Sequence, residues 1–273
     1  LSRAPGLRLV SRTSSFAYRD AGLEPEALGR RLGVTALLSG SVRTEGDRLR
    51  VAVELTEVAS GLSLWSARYD RSRADLFAVQ EEIAEAIAAA LRLRLRPAER
   101  PRRAVDLDAY EDYLRGRQFY FRYHRHGMRF ALQMFQQALE RDASFAPAWA
   151  GIANCAAFLY IYADRSEAHR QQADEASRRA LDLDPTLAEA HASRGVALSA
   201  AGQMAEADAA FREARRLDPS LYEAAYFQAR HALAQGDLAL AAEAFEAAIR
   251  IRPEDFQATL LVAQVYGDLG RPE

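Results

Sequence analysis

Three markers recur in one register along the second half of this chain, spaced by about 34 residues. Pro185, Pro219 and Pro253 form one series, Gly202, Gly236 and Gly270 a second, and Ala180, Ala214 and Ala248 a third. Phe211 and Phe245 add a large residue at a constant place between them. A period of that length does not describe one globular core; it demands a single supersecondary unit stacked on copies of itself. The residue types say which unit. Ala-rich stretches of helical period close at Pro, so each unit is a helical hairpin. Gly lets the turn inside the hairpin take a positive φ, the small Ala lets helices approach closely, and Pro starts the next hairpin.

Units at 188–221 and 222–255 are regular, and 256–273 reads as a first helix alone. The unit at 146–187 is longer, with Trp149 in its first helix and extra residues expected from Asp164 to Gln172, between its two helices. At 109–143 a degenerate unit keeps Ala131, Phe135 and Ala138 but has Ala143 where the closing Pro is expected. The dipeptides Asp184-Pro185, Asp218-Pro219 and Arg252-Pro253, each closing an Ala-rich helix, resemble those of the tetratricopeptide repeat family. The resemblance implies an all-α superhelix over residues 105–273 that binds a protein or peptide.

The first half has a different period. Leu49, Val51, Val53 and Leu55 alternate with Arg48, Arg50, Ala52 and Glu54, the two-residue repeat of a strand with one wet face. Turn chemistry at Glu45-Gly46-Asp47 and Ala59-Ser60-Gly61 joins it to strands at Thr35 to Arg43 and Leu62 to Tyr69, giving a three-stranded antiparallel meander. Leu76, Val79, Ile83 and Ile87 lie at helical spacing and form a stripe able to cover that sheet. Leu7 to Arg12 is a short strand candidate, and Glu24 to Leu32, ending at Gly33, is a helix with Pro25 in its first turn. Residues 1–95 therefore form an α+β domain, a small mixed or antiparallel sheet with helices. Residues 96–104, with Pro97 and Pro101 and no apolar period, are the linker.

Gly6 to Tyr18, Leu37 to Arg43, Leu64 to Asp70 and Ala78 to Ala84 resemble the amino-terminal domain of TolB. That domain's opening strand, helix and acidic loop have no counterpart here, so the resemblance implies a domain truncated at its amino terminus. In some bacterial signalling proteins such a domain precedes tetratricopeptide repeats and follows an effector: a class III adenylate or guanylate cyclase, a Ser/Thr kinase or a CadC-type DNA-binding regulator. The opening without Met reads as a fragment, with any catalytic or membrane-spanning part expected upstream. The resemblance thus implies a non-catalytic interaction or sensing module with a protein or peptide partner, or the upstream effector domain, as its target. Its alternative is the regulatory carboxy-terminal part of a cyclase.

Composition narrows the choice further. A formal net charge of −2 argues against a generally basic nucleic-acid or membrane binder. The stretch Arg115 to Arg125 mixes arginines with aromatics in the manner of single-strand binders, yet aromatics at that density in a repeat helix usually pack on the next hairpin, with Arg stems over them. A nucleic-acid module is therefore the third reading. No run of about 18 apolar residues and no signal-peptide pattern is present, so a soluble chain without membrane contact is expected, cytoplasmic, or periplasmic if tethered upstream. Phosphate-binding loops and kinase signatures are absent, and Gly61-Leu62-Ser63-Leu64-Trp65 lacks the closing Gly of a nucleophile elbow. His124 and His126 lack further ligands at metal spacing, and Cys155 is the single cysteine. No catalytic residue, metal or cofactor is expected.

First helices of stacked hairpins line a concave groove. By register it should present Asn154 and Phe158, then Ala192 and Val196, then Tyr226 and Arg230, then Leu260 and Gln264. Tyr226 and Arg230, one turn apart, offer an aromatic anchor beside a permanent cation, suited to an apolar residue next to a carboxylate. Asn154 and Gln264 would then bond the peptide backbone. The competing arrangement packs Tyr226 on the preceding hairpin and pairs Arg230 with a local acid such as Glu223. The truncated last unit would leave Leu260, Leu261 and Val265 uncovered, a route to self-association. Limited proteolysis should cut first between Arg96 and Arg103 and leave two stable fragments. A first cut inside a repeat, with this stretch intact, would show the boundary to be misplaced.

Overall fold

A computed structural model describes residues 7, 9, 10, 15, 18, 24–91, 106–121, 124–253 and 255–270. The chain divides into two compact units, Leu1–Pro101 and Arg102–Glu273. The strand candidate at Leu7 to Arg12 lies largely outside the described residues, and the linker at 96–104 lies wholly outside them.

In the first unit, helix α1 (Pro25–Leu32) has Pro in its first turn and ends at Gly33, whose φ of 64° is the left-handed cap. Strands β1 (Ala36–Glu45), β2 (Arg48–Glu57) and β3 (Ser63–Ser72) form one antiparallel sheet in the order β1-β2-β3, each running somewhat further than its apolar pattern. Gly46 at φ 56° makes the first turn possible. Leu49, Val51, Val53 and Leu55 are buried while their neighbours point outward. Helix α2 (Leu76–Ala90) lays Val79, Leu76 and Ile83 on Leu49, Val51 and Val53, with Trp65 and Tyr69 of β3 beside them. Leu38 and Val42 of β1 stand opposite Leu55 and Val51, yet both remain exposed.

The second unit is a row of antiparallel hairpins. Helices α3 (Leu107–Tyr120), α5 (Ala146–Leu159), α7 (Ala188–Ala200), α9 (Tyr222–Gln235) and α11 (Phe256–Asp268) are first helices. Helices α4 (Arg125–Arg141), α6 (Glu167–Leu183), α8 (Met204–Leu217) and α10 (Leu238–Ile251) are second helices. Gly202, Gly236 and Gly270 take φ of 77°, 80° and 68°, as the hairpin turns require. Ala138, Ala180, Ala214 and Ala248 are fully buried.

What sets the spacing is a large side chain driven into the gap left by a missing one. Phe135 of α4 fills the space beside Gly116 of α3 and Gly151 of α5; a Cβ on either glycine would lie 2.6 Å from the ring. Phe211 of α8 meets Gly195 of α7 in the same way, at 2.7 Å. Ala229, fully buried, stands one repeat on from Gly195, and Phe245 fills the corresponding space. The long hairpin has Ser177 where the others have Phe, and a polar lock replaces the aromatic one. Arg194 of α7 reaches back to the Asp174 carboxylate and donates to Ser177 Oγ at 3.2 Å.

The extra residues of that hairpin fall earlier than expected. Helix α5 continues into a π-helical turn, Tyr160–Asp164, and Arg165 at φ 49° reverses the chain. Asp164 Oδ1 accepts from Ser166 N at 3.0 Å and lies 3.0 Å from His169 Nδ1, which fixes the start of α6 at Glu167. Residues 167–172, expected in a loop, are therefore helical. The combined helix Ala146–Asp164 is 19 residues long with a mean hydropathy of 1.2, long and apolar enough to cross a membrane. Just over half of it is buried inside the array, with Ile152, Cys155 and Leu159 in the core around Phe135, while Ile161 and Tyr162 near its end are exposed.

Closing turns follow one rule that the missing Pro conceals. Asp142, Asp184 and Asp218 end α4, α6 and α8 in extended backbone, and each carboxylate accepts from the backbone N–H two residues on, in Ser144, Thr186 and Ser220. Ala143 can thus replace Pro without loss of the turn. Gly195→Ala should cost about 1–3 kcal/mol by overpacking Phe211. Gly267→Ala, whose Cβ would meet nothing, should gain about 0.5–1 kcal/mol. Urea unfolding followed by the helix signal measures both, and equal effects would show that the Gly195 gap does not set the spacing.

Candidate functional site: the concave face

Four successive first helices, α3, α5, α7 and α9, contribute to one small cavity of about 30 Å³, in which a few charged and polar groups stand among apolar ones such as Phe135, Pro147 and Ala192. Tyr113 and Arg117 come from α3, Asn154 from α5, Glu189 from α7 and Glu223 from α9. The two glutamates hold the same place in adjacent repeats. Arg117 donates to Tyr113 Oη at 3.2 Å, and its guanidinium lies over the Phe121 ring at 4.9 Å. Its nearest approach to Glu223 is 3.8 Å, an ion pair too long for a hydrogen bond. Asn154 is 9% exposed, and its Oδ1 is buried without a hydrogen-bond partner.

The electrostatics of this cavity are uneven. Burial lifts the Glu189 carboxyl above the usual carboxylate range, and Glu223 and Asp218 add to the effect while its own backbone N–H and Arg117 oppose it. Burial works against the charge of Arg117, but Tyr113, Glu223 and Glu189 more than offset it and hold the guanidinium firmly protonated. Tyr113 itself is pushed up by burial.

Arg117 and Glu223 belong to the first and fourth hairpins, so the array curls until those hairpins meet. Arg252, which takes the place of Asp in the last closing dipeptide, reinforces the contact. It is 5% exposed, with its guanidinium 4.4 Å from the Tyr222 ring and 5.2 Å from Phe121 at the end of α3. An ion pair to Asp255 at 3.7 Å accompanies the stacking.

The expected groove residues separate into two groups. Phe158, Tyr226 and Arg230 come together, but through a residue absent from the expectation. Tyr162, carried by the π-helical turn, lies 4.9 Å from Phe158 and 5.1 Å from the Arg230 guanidinium. Arg230 also lies 3.4 Å from Tyr226 Oη. Tyr226 is only 3% exposed, stacked on Tyr222 and edge-on to Phe245 of its own hairpin. Neither sequence alternative described this arrangement. Arg230 is held by aromatics rather than by an acid or an open groove, and Glu223 pairs with Arg117. Asn154 lines the cavity beside Arg117, Glu189 and Glu223, while Gln264 is exposed on α11. Leu260 is also exposed and Leu261 partly so, but Val265, expected at the uncovered face, is fully buried in the last core.

Other sequence candidates have structural employment. His124 caps α4, its Nδ1 accepting from Gly127 N at 2.9 Å. Among the described residues no group of three or more His, Cys, Asp or Glu stands close enough to hold a metal. Aromatics of the Arg-rich stretch pack between helices, Phe119 on Phe130 at 5.5 Å and Tyr113 on Phe145 at 5.1 Å. Cys155 is buried in the core, and desolvation raises its thiol pKa.

Comparison with known proteins places this geometry. A family model described as tetratricopeptide repeat matches residues 193–256 and 226–273. The helical unit is an array of such repeats, and the amino-terminal sheet with its helices fits the α/β domain of the second resemblance. Putative adenylate cyclase 3 of Rhizobium meliloti (strain 1021) is 33% identical over 205 residues, which are 73% of this chain and 35% of that protein. The chain thus spans about a third of that curated relative's length. Among solved structures, a thermophilic TPR protein of Thermus thermophilus shares 20% identity over 71% of this chain and 94% of its own, with a TM-score of 0.49. The first TPR of Spaghetti, bound to an HSP90 peptide, shares 17% identity over 45% of this chain and 95% of its own, with a TM-score of 0.38.

A carboxyl whose pKa is raised binds its proton more tightly in the fold than in the unfolded chain. Acidification toward that value favours the fold, and neutral or alkaline pH sets the group against it. Glu189→Gln should therefore be more stable than the parent at about pH 8, with the advantage narrowing at about pH 5. Urea midpoints at the two pH values check this, and a constant or reversed difference would remove Glu189 from the account.

Proposed function

We propose, from the premise that the helical unit is a tetratricopeptide array, that this chain is the sensing and protein-interaction region of a larger signalling protein. A peptide or partner domain enters the concave face. The observation that carries the reading is the reach of the likeness to the putative adenylate cyclase, which covers more of this chain than the helical unit alone can supply. The likeness must therefore run into the amino-terminal unit, which a match of the repeats alone would not do, and this supports reading the two units as a pair. That relative also favours a nucleotide cyclase as the effector, with this region as its regulatory part.

The groove's own contacts suggest how binding is felt. Arg117–Glu223 and the Arg252 stack join the first hairpin to the fourth. A partner seated between them must replace or strengthen these contacts, so occupancy and curvature are linked. The chain itself carries no phosphate, nucleophile or metal pattern and acts by binding.

In the whole gene product, deleting residues 102–273 should change cyclic-nucleotide formation by about fivefold or more. The isolated chain should form none from ATP or GTP above buffer. Cyclisation by the isolated chain, or an unchanged rate after the deletion, would overturn the reading.

A further inference from the structure

We propose that the cavity between α3, α5, α7 and α9 is a recognition site for a primary ammonium group carried by the peptide that enters the groove. This rests on the groove reading above and names the chemistry it selects. The cavity offers acceptors in excess: two carboxylates, Glu189 and Glu223, and the unmet Oδ1 of Asn154. Against them stands one cation, Arg117, already donating to Tyr113 and 3.8 Å from Glu223. One guanidinium does not neutralise two carboxylates, so the cavity carries a surplus negative charge in a partly desolvated place. An anion entering here would meet like charge. A bound water would offer two donors and no compensating charge.

Donor geometry narrows the cation: an ammonium concentrates its charge and donors at one point, where a planar guanidinium spreads them over a fixed fork. An ammonium brings three donors, enough to bond Glu189, Glu223 and Asn154 together. The groups come from three different repeats, so the cation would bind only while the superhelix holds its curvature. This polarity is the reverse of the one expected from Arg230, whose charge is committed to Tyr162 and Tyr226. A divalent metal is disfavoured by the adjacent Arg117 and by the lack of three clustered ligands among the described residues.

The probe is N-acetyl-lysine N-methylamide, followed on the whole chain through the Asn154 side-chain amide resonance, with the ε-acetylated form as the neutral twin. The charged probe should shift that resonance and bind about tenfold or more tightly than its twin. Glu189→Gln and Glu223→Gln, which keep the packing and the reporting amide, should each weaken it about fivefold or more, with melting temperatures showing that the fold is intact. A lysine-free dipeptide with a free amino terminus separates a terminal from a side-chain amine; binding by either supports the site. The arginine analogue should bind more weakly. Equal response to charged and neutral probes, no response to either, or tighter binding of the arginine analogue would overturn the inference. The first and third of these outcomes would leave the groove reading standing, since a peptide would still be bound there. Failure of the groove reading is seen separately, in the deletion experiment.

Discussion

The close approach of helices in the first and third hairpins depends on one contact: an aromatic ring on a second helix pressed against the bare backbone of a first helix. Phe135 is held between Gly116 and Gly151, and Phe211 against Gly195. Removing such a ring from a close-packed interior costs about 3–5 kcal/mol. A Cβ at any of these glycines would enter the ring's own volume, so the contact fixes how closely helices approach as well as how strongly they hold. Stacking of hairpins held this closely, one on the next, gives the array its curvature.

That curvature brings together residues that the chain keeps far apart. Arg117 meets Glu223, and Phe121 meets Arg252, because the successive hairpin steps have turned the first hairpin toward the fourth. The long hairpin departs from the rule at two points, and they have different consequences. Ser177 replaces the ring, and the Arg194 contact with Asp174 and Ser177 takes over its task. The inserted turn at Tyr160–Asp164 projects Tyr162 onto Arg230, so the groove is partly lined by a segment the repeat does not contain. The insertion therefore changes the recognition surface while leaving the stacking intact.

What the sequence made legible follows from how local each signal is. The positive φ of Gly202, Gly236 and Gly270, the burial of Phe211 and Phe245, and the alternation of Leu49, Val51, Val53 and Leu55 are all properties of a few adjacent residues. The role of Asp142 is equally local, but the missing Pro at Ala143 masks the turn that its carboxylate shares with Asp184 and Asp218. Asn154 could be placed in the groove by register alone. The fate of the arginines could not. Arg230 at a groove position reads as an available cation, and only the path of the inserted turn shows Tyr162 covering it. Arg117 reads as one arginine of a basic aromatic stretch, and its partners lie partly on other helices.

The charged cavity is an odd thing for a stable array to contain. Ala192 and Val196 show that apolar residues can line the same face. Replacing a buried ion pair with well-packed apolar residues is often neutral or stabilising, whereas a buried charge with incomplete partners is costly. Glu189, raised by its burial, and Asn154, with an acceptor unmet, therefore weaken the free array. Cavity residues that stabilised only the fold would have matched their charges internally, as Arg194 does with Asp174. Here the mismatch spans several hairpins, and a group that corrects it must hold those hairpins at one curvature. Binding energy that appears only in the curled arrangement is the physical requirement for passing occupancy of the groove to another part of the protein.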